Sequence, residues 1–316
     1  INDFAPGYDD LIAFMTDDLK NTSEEALGVH ALPEGDEFYK YRLKSITTTD
    51  MTADQIHQLG LDEVKRIRGE MEVIKEKDGF KGTLQEYFAY IRDSKDDEKF
   101  YYDNTDEGRQ GYIDDATAAI ESLKKELPNY FGILPKADLV VKRVEAFREQ
   151  DGAPQHYYSG TPDGSRPGVY YAHLSDMKAM PKNDLEVIAY HEGLPGHHMQ
   201  ISIAQELKGI PKFRTQAGST AYVEGWALYT EALAKEMPNT YVTLGSDFGR
   251  LGSEMWRAIR LVVDTGMHHK KWSQQRAVDF FAQNSPAPLE TIETEIRRYL
   301  VIPGQATAYK IGMIDI

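Results

Sequence analysis

The chain has 316 residues, of which 41% are hydrophobic, enough to bury a core in one large domain or two ordinary ones. Its 51 acidic and 36 basic side chains give a formal charge of −15, which argues against a nucleic-acid partner because phosphate binding needs clustered Lys and Arg. With zero cysteines, disulfides and thiolate metal sites are excluded, so any metal must be held by His and carboxylates.

Apolar periodicity and helix breakers predict helices over 9–20, 52–77, 83–94, 106–126, 183–208, 219–236, 247–270, 273–284 and 288–300. Strands are few. Alternation predicts one over 137–146 and a second over 168–174, after the turn-rich stretch 160–167. The expected fold class is mainly α with a small antiparallel β-sheet. Residues 1–50 read as a helical segment continuing from sequence upstream, and residues 51–316 as the domain that carries the chemistry. The chain opens on Ile1 rather than Met and closes inside a helical pattern, so it reads as a fragment. No run approaches the roughly 20 apolar residues of a membrane helix, and no charged start leads into an apolar signal segment. Composition leaves the compartment open.

The chemistry concentrates in Tyr190-His191-Glu192-Gly193-Leu194-Pro195-Gly196-His197-His198. A catalytic zinc takes three protein ligands and keeps one position open. The familiar His-Glu-x-x-His helix supplies two imidazoles on one face with a Glu base between them. Here His191 and His197 are six residues apart, about 240° around a regular helix, and His198 is about 10.5 Å along the axis from His191. Neither pair closes on one ion unless the helix breaks. Pro195 deletes a backbone hydrogen bond and Gly196 tolerates unusual dihedrals, so a broken turn is expected there. His191 and His197 are the expected ligands, Glu192 the base and His198 the alternative second imidazole. Glu192 continues the stripe of Leu185 and Ile188, where a carboxylate is costly without a partner.

A second helix repeats the anomaly. Ala221, Glu224, Ala227, Leu228 and Glu231 share one side at steps of three and four. Glu224 is the candidate third ligand, and Glu231, two turns on, the candidate for orienting a ligand imidazole. A third helix carries Arg257, Arg260, Asp264 and His268. The four-residue spacing lets Asp264 orient His268, which could then stabilise the oxyanion of a tetrahedral intermediate. Arg260 is a candidate grip for a substrate carboxylate.

Four runs, HEGLPGHHMQ, AYVEGWALYTE, RLVVDTGMHHKKWS and PGQATAYKIG, stand in an order that resembles the bacterial domain of unknown function 885 family, from about Met51 to the end. Its members are described as lipoproteins or zinc-peptidase-like proteins. That resemblance implies a periplasmic or cell-envelope location and a lipid anchor upstream of this sequence. Separately, Glu224-Gly225-Trp226-Ala227 is similar to the Glu-Gly-Phe-Ala stretch of gluzincin aminopeptidases. This implies a gluzincin-like zinc-peptidase architecture, one Zn2+ with Glu224 as ligand, Glu192 as base and a peptide substrate. It also implies Tyr309 as an oxyanion holder beside His268, and an edge strand at 168–174, with Tyr170 and Tyr171, pairing with extended substrate.

The leading expectation is a zinc peptidase that uses water and a Glu general base. The alternatives are the same centre acting on another amide or ester, and a metal-binding protein without turnover.

Overall fold

The computed structural model describes residues 4–22, 25–150, 153–215 and 217–316. Five helices come first: α1 (Phe4–Asp18), α2 (Gly35–Thr47), α3 (Ala53–Lys77), α4 (Leu84–Asp93) and α5 (Asp106–Tyr130). A small sheet follows, built from β1 (Leu139–Arg143), β2 (His156–Tyr158) and β3 (Gly168–Ala172). The rest is helical: α6 (Leu185–Glu192), α7 (His197–Glu206), α8 (Thr220–Ala234), α9 (Leu244–His268), α10 (Gln274–Asn284), α11 (Leu289–Val301) and α12 (Ala308–Asp315). Among the described residues no helix is long and apolar enough to cross a membrane.

Side-chain caps set where several helices begin. Thr52 accepts from the Gln55 backbone while Gln55 reaches back to the cap, and Thr83 and Glu86 do the same for α4. Each reciprocal pair satisfies two backbone donors that a helix start would otherwise leave open. Ser219 and Thr243 cap α8 and α9 with their side-chain oxygens.

The sheet has the order β1-β3-β2, with β1 parallel and β2 antiparallel to the central β3. It is therefore mixed, not antiparallel as the sequence suggests. The chain between β1 and β3, residues 144–167, is long enough to carry it back to the starting end, as a parallel pair requires. This placement also corrects the edge-strand expectation for 168–174. Both edges of β3 are occupied, so its backbone cannot accept a substrate strand.

A small apolar cluster gathers Tyr39, Leu43, Ile56, Leu261 and Ile311, and two larger cores form. One joins α3, α4, α9, α10 and α11 around Ile67, Phe88, Met255, Ile259 and Ile296. The other joins α5, β3, α6 and α7 around Tyr112, Ile120, Tyr170, Ala189 and Met199. From Ala258 to His268, α9 is buried at every position. α8 meets α12 at two glycines, Gly225 and Gly312, where a Cβ on either would collide with backbone of the opposing helix. That close approach brings α12 against the helix that carries Glu224.

Candidate metal centre

The predicted 183–208 helix is interrupted at 193–196, between α6 and α7. Gly196 N–H bonds back to Tyr190 O at 3.0 Å, and His198 N–H to Gly193 O at 3.1 Å, so the break is a closed turn rather than a loose loop. A side chain at Gly196 would overlap the carbonyl oxygens of His191 and Tyr190. Trp226 fastens the turn from outside, its Nε1–H donating to Pro195 O at 2.9 Å. Thus α6 ends on His191 and Glu192 while α7 opens on His197, and the two imidazoles face one another with ring centroids 4.8 Å apart.

Glu224 completes the group from α8. Its Oε2 lies 3.8 Å from His191 Nε2 and 3.6 Å from His197 Nε2, and one ligand atom from each of the three residues lies within 4.8 Å of the others. The donor set of two imidazoles and one carboxylate is one that zinc accepts, and 3.6–3.8 Å is near the ~3.4 Å edge of a tetrahedron with bonds of about 2.1 Å. His191 Nδ1 sits 2.6 Å from Glu231 Oε1, and an ionised Glu231 would hold the proton on Nδ1 and leave the Nε2 lone pair toward the cluster. Buried His197 Nδ1 and Gln200 Oε1 are each without a hydrogen-bond partner, and Gln200 is close enough to favour the protonated ring.

Electrostatics follow from burial. Desolvation lowers the pKa of His191 well below the usual imidazole value, with His197 and Arg257 adding to the effect. It raises Glu192 to about 7, and Glu231 likewise to about 7. For His197, burial opposes the proton but the Glu224 hydrogen bond and the Glu192 charge outweigh it, so its pKa is raised. For Glu224, burial opposes ionisation but bonding to His197 and the charge of His191 outweigh it, giving about 2. Glu192 is thus a nearly buried carboxyl with its pKa near neutrality, beside a group of ligands. That suits a general base.

Other expected residues lie elsewhere or are differently engaged. His198 points away from the cluster, with Nδ1 3.0 Å from Tyr157 OH and Nε2 2.9 Å from Ala137 O. Both of its nitrogens are used in packing, so it is not available as the second imidazole. His268 requires a correction. It is fully buried, its Nδ1 accepts from Val29 N–H at 3.1 Å and its Nε2 donates to Tyr299 O at 3.0 Å. It also stands eleven residues beyond Arg257 on α9, about 16 Å along the axis, so no donor remains for an oxyanion. Asp264 accepts from Tyr39 OH at 2.6 Å and Gly304 N–H at 3.0 Å, and so ties α2 and the turn before α12 to α9 instead of orienting His268.

Tyr170 is buried and shares a 2.8 Å hydroxyl contact with Tyr112, both under the influence of the Glu192 charge. It belongs to the wall behind the base. Tyr171 points to the opposite face of the sheet and stacks on His156. Arg260 is already satisfied, donating to Tyr299 OH at 2.7 Å and Glu295 at 3.0 Å. Tyr309 is half-buried, its ring 4.7 Å from the Arg260 guanidinium and 5.8 Å from that of Arg257.

Three residues of the site escape the sequence reading. Trp226 and Gln200 carry no signal beyond their neighbourhood to the motifs. Arg257 is visible only as one of several basic positions on α9, yet its charge acts on His191, Glu192, Glu224 and Glu231.

No curated protein matches the chain. Among solved structures it is similar to the crystal structure of a "putative lipoprotein" from Colwellia psychrerythraea, with a TM-score of 0.92 and 36% identity over 98% of this chain and 52% of that one. It also resembles a "putative lipoprotein of unknown function" from Shewanella oneidensis, with a TM-score of 0.73 and 19% identity over 96% of this chain and 55% of that one, a likeness of fold. The chain spans about half the length of both structures. The family model for bacterial proteins of unknown function DUF885 matches residues 1–316, the first fifty included, and the chain belongs to that family.

Proposed function

We propose that the chain is a zinc-dependent hydrolase of peptide bonds, with His191, His197 and Glu224 as ligands and Glu192 as general base. The observation that carries this reading is the meeting of three ligand atoms from α6, α7 and α8 beside a carboxyl with a pKa near neutrality. Zinc held there would supply Lewis-acid polarisation of a carbonyl and lower the pKa of a water.

This chain's own residues do the rest. Glu231 holds the His191 ring in one tautomer, and the Trp226 bond to Pro195 keeps His197 facing it. Glu192 accepts a proton from the attacking water and returns it to the leaving amine. Tyr112 and Tyr170, buried and bonded to each other, lie within the field of the Glu192 charge. Similarity to gluzincins in the Glu-Gly-Trp-Ala run supports a peptide substrate, and the description of both structural relatives as lipoproteins supports a place in the cell envelope.

The test is metal analysis of the native protein together with hydrolysis of a mixed peptide library by wild type and Glu192→Gln. The expected result is about one zinc per chain in both proteins and a loss of at least about 10²-fold in kcat for the variant. Undiminished turnover in Glu192→Gln would remove it as the base, and absence of zinc from the native protein would end the metal reading.

A further inference from the structure

We propose that Arg257, with the Tyr309 hydroxyl beside it, forms a carboxylate-binding subsite adjoining the metal centre. The preferred substrates are then short peptides or N-acylated amino acids with a free terminal carboxylate close to the scissile bond. The inference rests on the hydrolase reading and names its substrate class.

Arginines around α9 are paired with carboxylates, Arg250 with Asp247 at 2.9 Å, Arg260 with Glu295 at 3.0 Å, Arg298 with Glu295 at 3.0 Å and Arg66 with Glu63 at 2.7 Å. Arg257 has no such pair among the described residues. Its Nη1 donates to Ser253 Oγ at 2.8 Å and Ser253 O at 3.3 Å, its Nε is buried without a partner, and among the described residues no carboxylate lies at ion-pair distance. A guanidinium with no carboxylate at ion-pair distance keeps hydrogen-bonding capacity for an anionic ligand.

Position and shape narrow the ligand. Ser253, which accepts from Arg257 Nη1, also bonds Glu231, the hydrogen-bond partner of His191, so what Arg257 binds lies beside the ligand group. Tyr309 is half-buried against the same guanidinium, and its hydroxyl has no protein partner among the described residues. With Nη1 held by Ser253 and Nε buried, Nη2 is the nitrogen left to donate to a carboxylate oxygen, with the Tyr309 ring alongside. Glu192, Glu224 and Glu231 nearby disfavour a dianion such as a phosphate ester, because like charges repel at this range. Arg260, the residue that spacing alone suggests for this task, is neutralised by Glu295.

The test uses an N-acetylated tripeptide library in two forms, free acid and C-terminal amide, with the zinc-loaded chain. Wild type should cleave the acid form about 10- to 100-fold better in kcat/KM, the worth of a charge-assisted hydrogen-bond pair. The ratio should fall toward one in Arg257→Gln, chiefly through KM, and partly recover in Arg257→Lys. Equal cleavage of both forms by wild type overturns the proposal, as does an unchanged ratio in an Arg257→Gln protein that keeps its zinc and melting temperature. Should Arg257→Gln lose either, Tyr309→Phe carries the comparison. A severalfold fall in its ratio supports the subsite, and an unchanged ratio counts against it.

Calorimetric titration of zinc-loaded wild type and Glu192→Gln with N-acetyltrialanine and its amide separates the two readings. Tighter binding of the acid to a protein that cuts neither form leaves the subsite standing while the hydrolase reading falls. Equal binding of acid and amide, or none of either, removes the subsite whatever the turnover.

Discussion

Each ring nitrogen of His191 faces a carboxylate, Glu231 at 2.6 Å on Nδ1 and Glu224 at 3.8 Å on Nε2, and the two acids should therefore fail in different ways. Removing Glu231 leaves the ligand count intact but frees the ring to rotate and change tautomer. Glu231→Ala is expected to weaken zinc binding about 10- to 100-fold. Glu224→Ala deletes a ligand and should cost more than that. His198→Ala, whose ring is bonded to Tyr157 and Ala137, should leave zinc affinity unchanged while lowering stability by about 1–3 kcal/mol. Competition against a chelator at neutral pH reads all three, and zinc loss from His198→Ala as large as that from Glu224→Ala would show the wrong imidazole in the site. His191, His197 and Glu224 stand out in the sequence because they combine a helix breaker with acids on an apolar stripe. His268 was misleading for a physical reason: spacing along α9 shows what lies on its own helix, not the backbone of Val29 and Tyr299 packed against it.

At the scale of elements, the distance between helices decides whether those side chains meet. α8 and α12 approach so closely at Gly225 and Gly312 that one added methyl must push them apart. Gly312→Ala should therefore destabilise by about 1–3 kcal/mol through overpacking and, by displacing the Glu224 helix, weaken zinc binding as well. Gly69→Ala is the control, since nothing lies within 4 Å of its added Cβ on α3, and it should stabilise by about 0.5–1 kcal/mol. Urea unfolding measures both, and a neutral Gly312→Ala would mean that the crossing yields without cost. Helices with caps and a strong apolar stripe were legible, α3 (Ala53–Lys77) and α10 (Gln274–Asn284) falling within about one residue of their predicted spans. β2 was not, because three residues are too few to establish a period, and without β2 the central position of β3 and the parallel partnership of β1 could not be read. α2, which brings Tyr39 to Asp264, also lies outside the predicted helices. Its N-cap Glu34 and C-cap Thr48 both have left-handed backbone, and Glu34 makes no side-chain capping bond, so the usual start and stop residues are missing.

For the whole molecule, buried acids pull stability in opposite directions with pH. Burial raises Asp184 from 3.8 to about 7, so the folded chain holds a proton that the unfolded chain releases. Its contribution is greatest below pH ~4 and declines as pH rises toward 7, with a limiting slope of about 1.4 kcal/mol per pH unit. Glu192 and Glu231, raised to about 7 in the same way, act alike unless a cation offsets their charge. Glu63 and Glu295 act in reverse. Burial opposes their ionisation, but Arg66 and Lys310 on Glu63, and Arg298 and Arg260 on Glu295, hold both at about 2 against a usual 4.5. Their stabilisation is present above pH ~4.5 and is lost as pH falls through ~2. The chelated protein should therefore be most stable near pH ~4–5. Asp184→Asn should flatten the neutral side by up to one proton's slope, and Glu295→Gln should flatten the acid side. Zinc at about 100 times its dissociation constant should add about 2.7 kcal/mol, and its affinity should rise with pH as His197, whose pKa is raised, gives up its proton. Urea midpoints across about pH 3 to 8, with and without chelator, give the profile. If Asp184→Asn leaves the slope between pH ~5 and ~7 unchanged, the half-buried carboxyl at the start of α6 does not hold its proton in the folded chain.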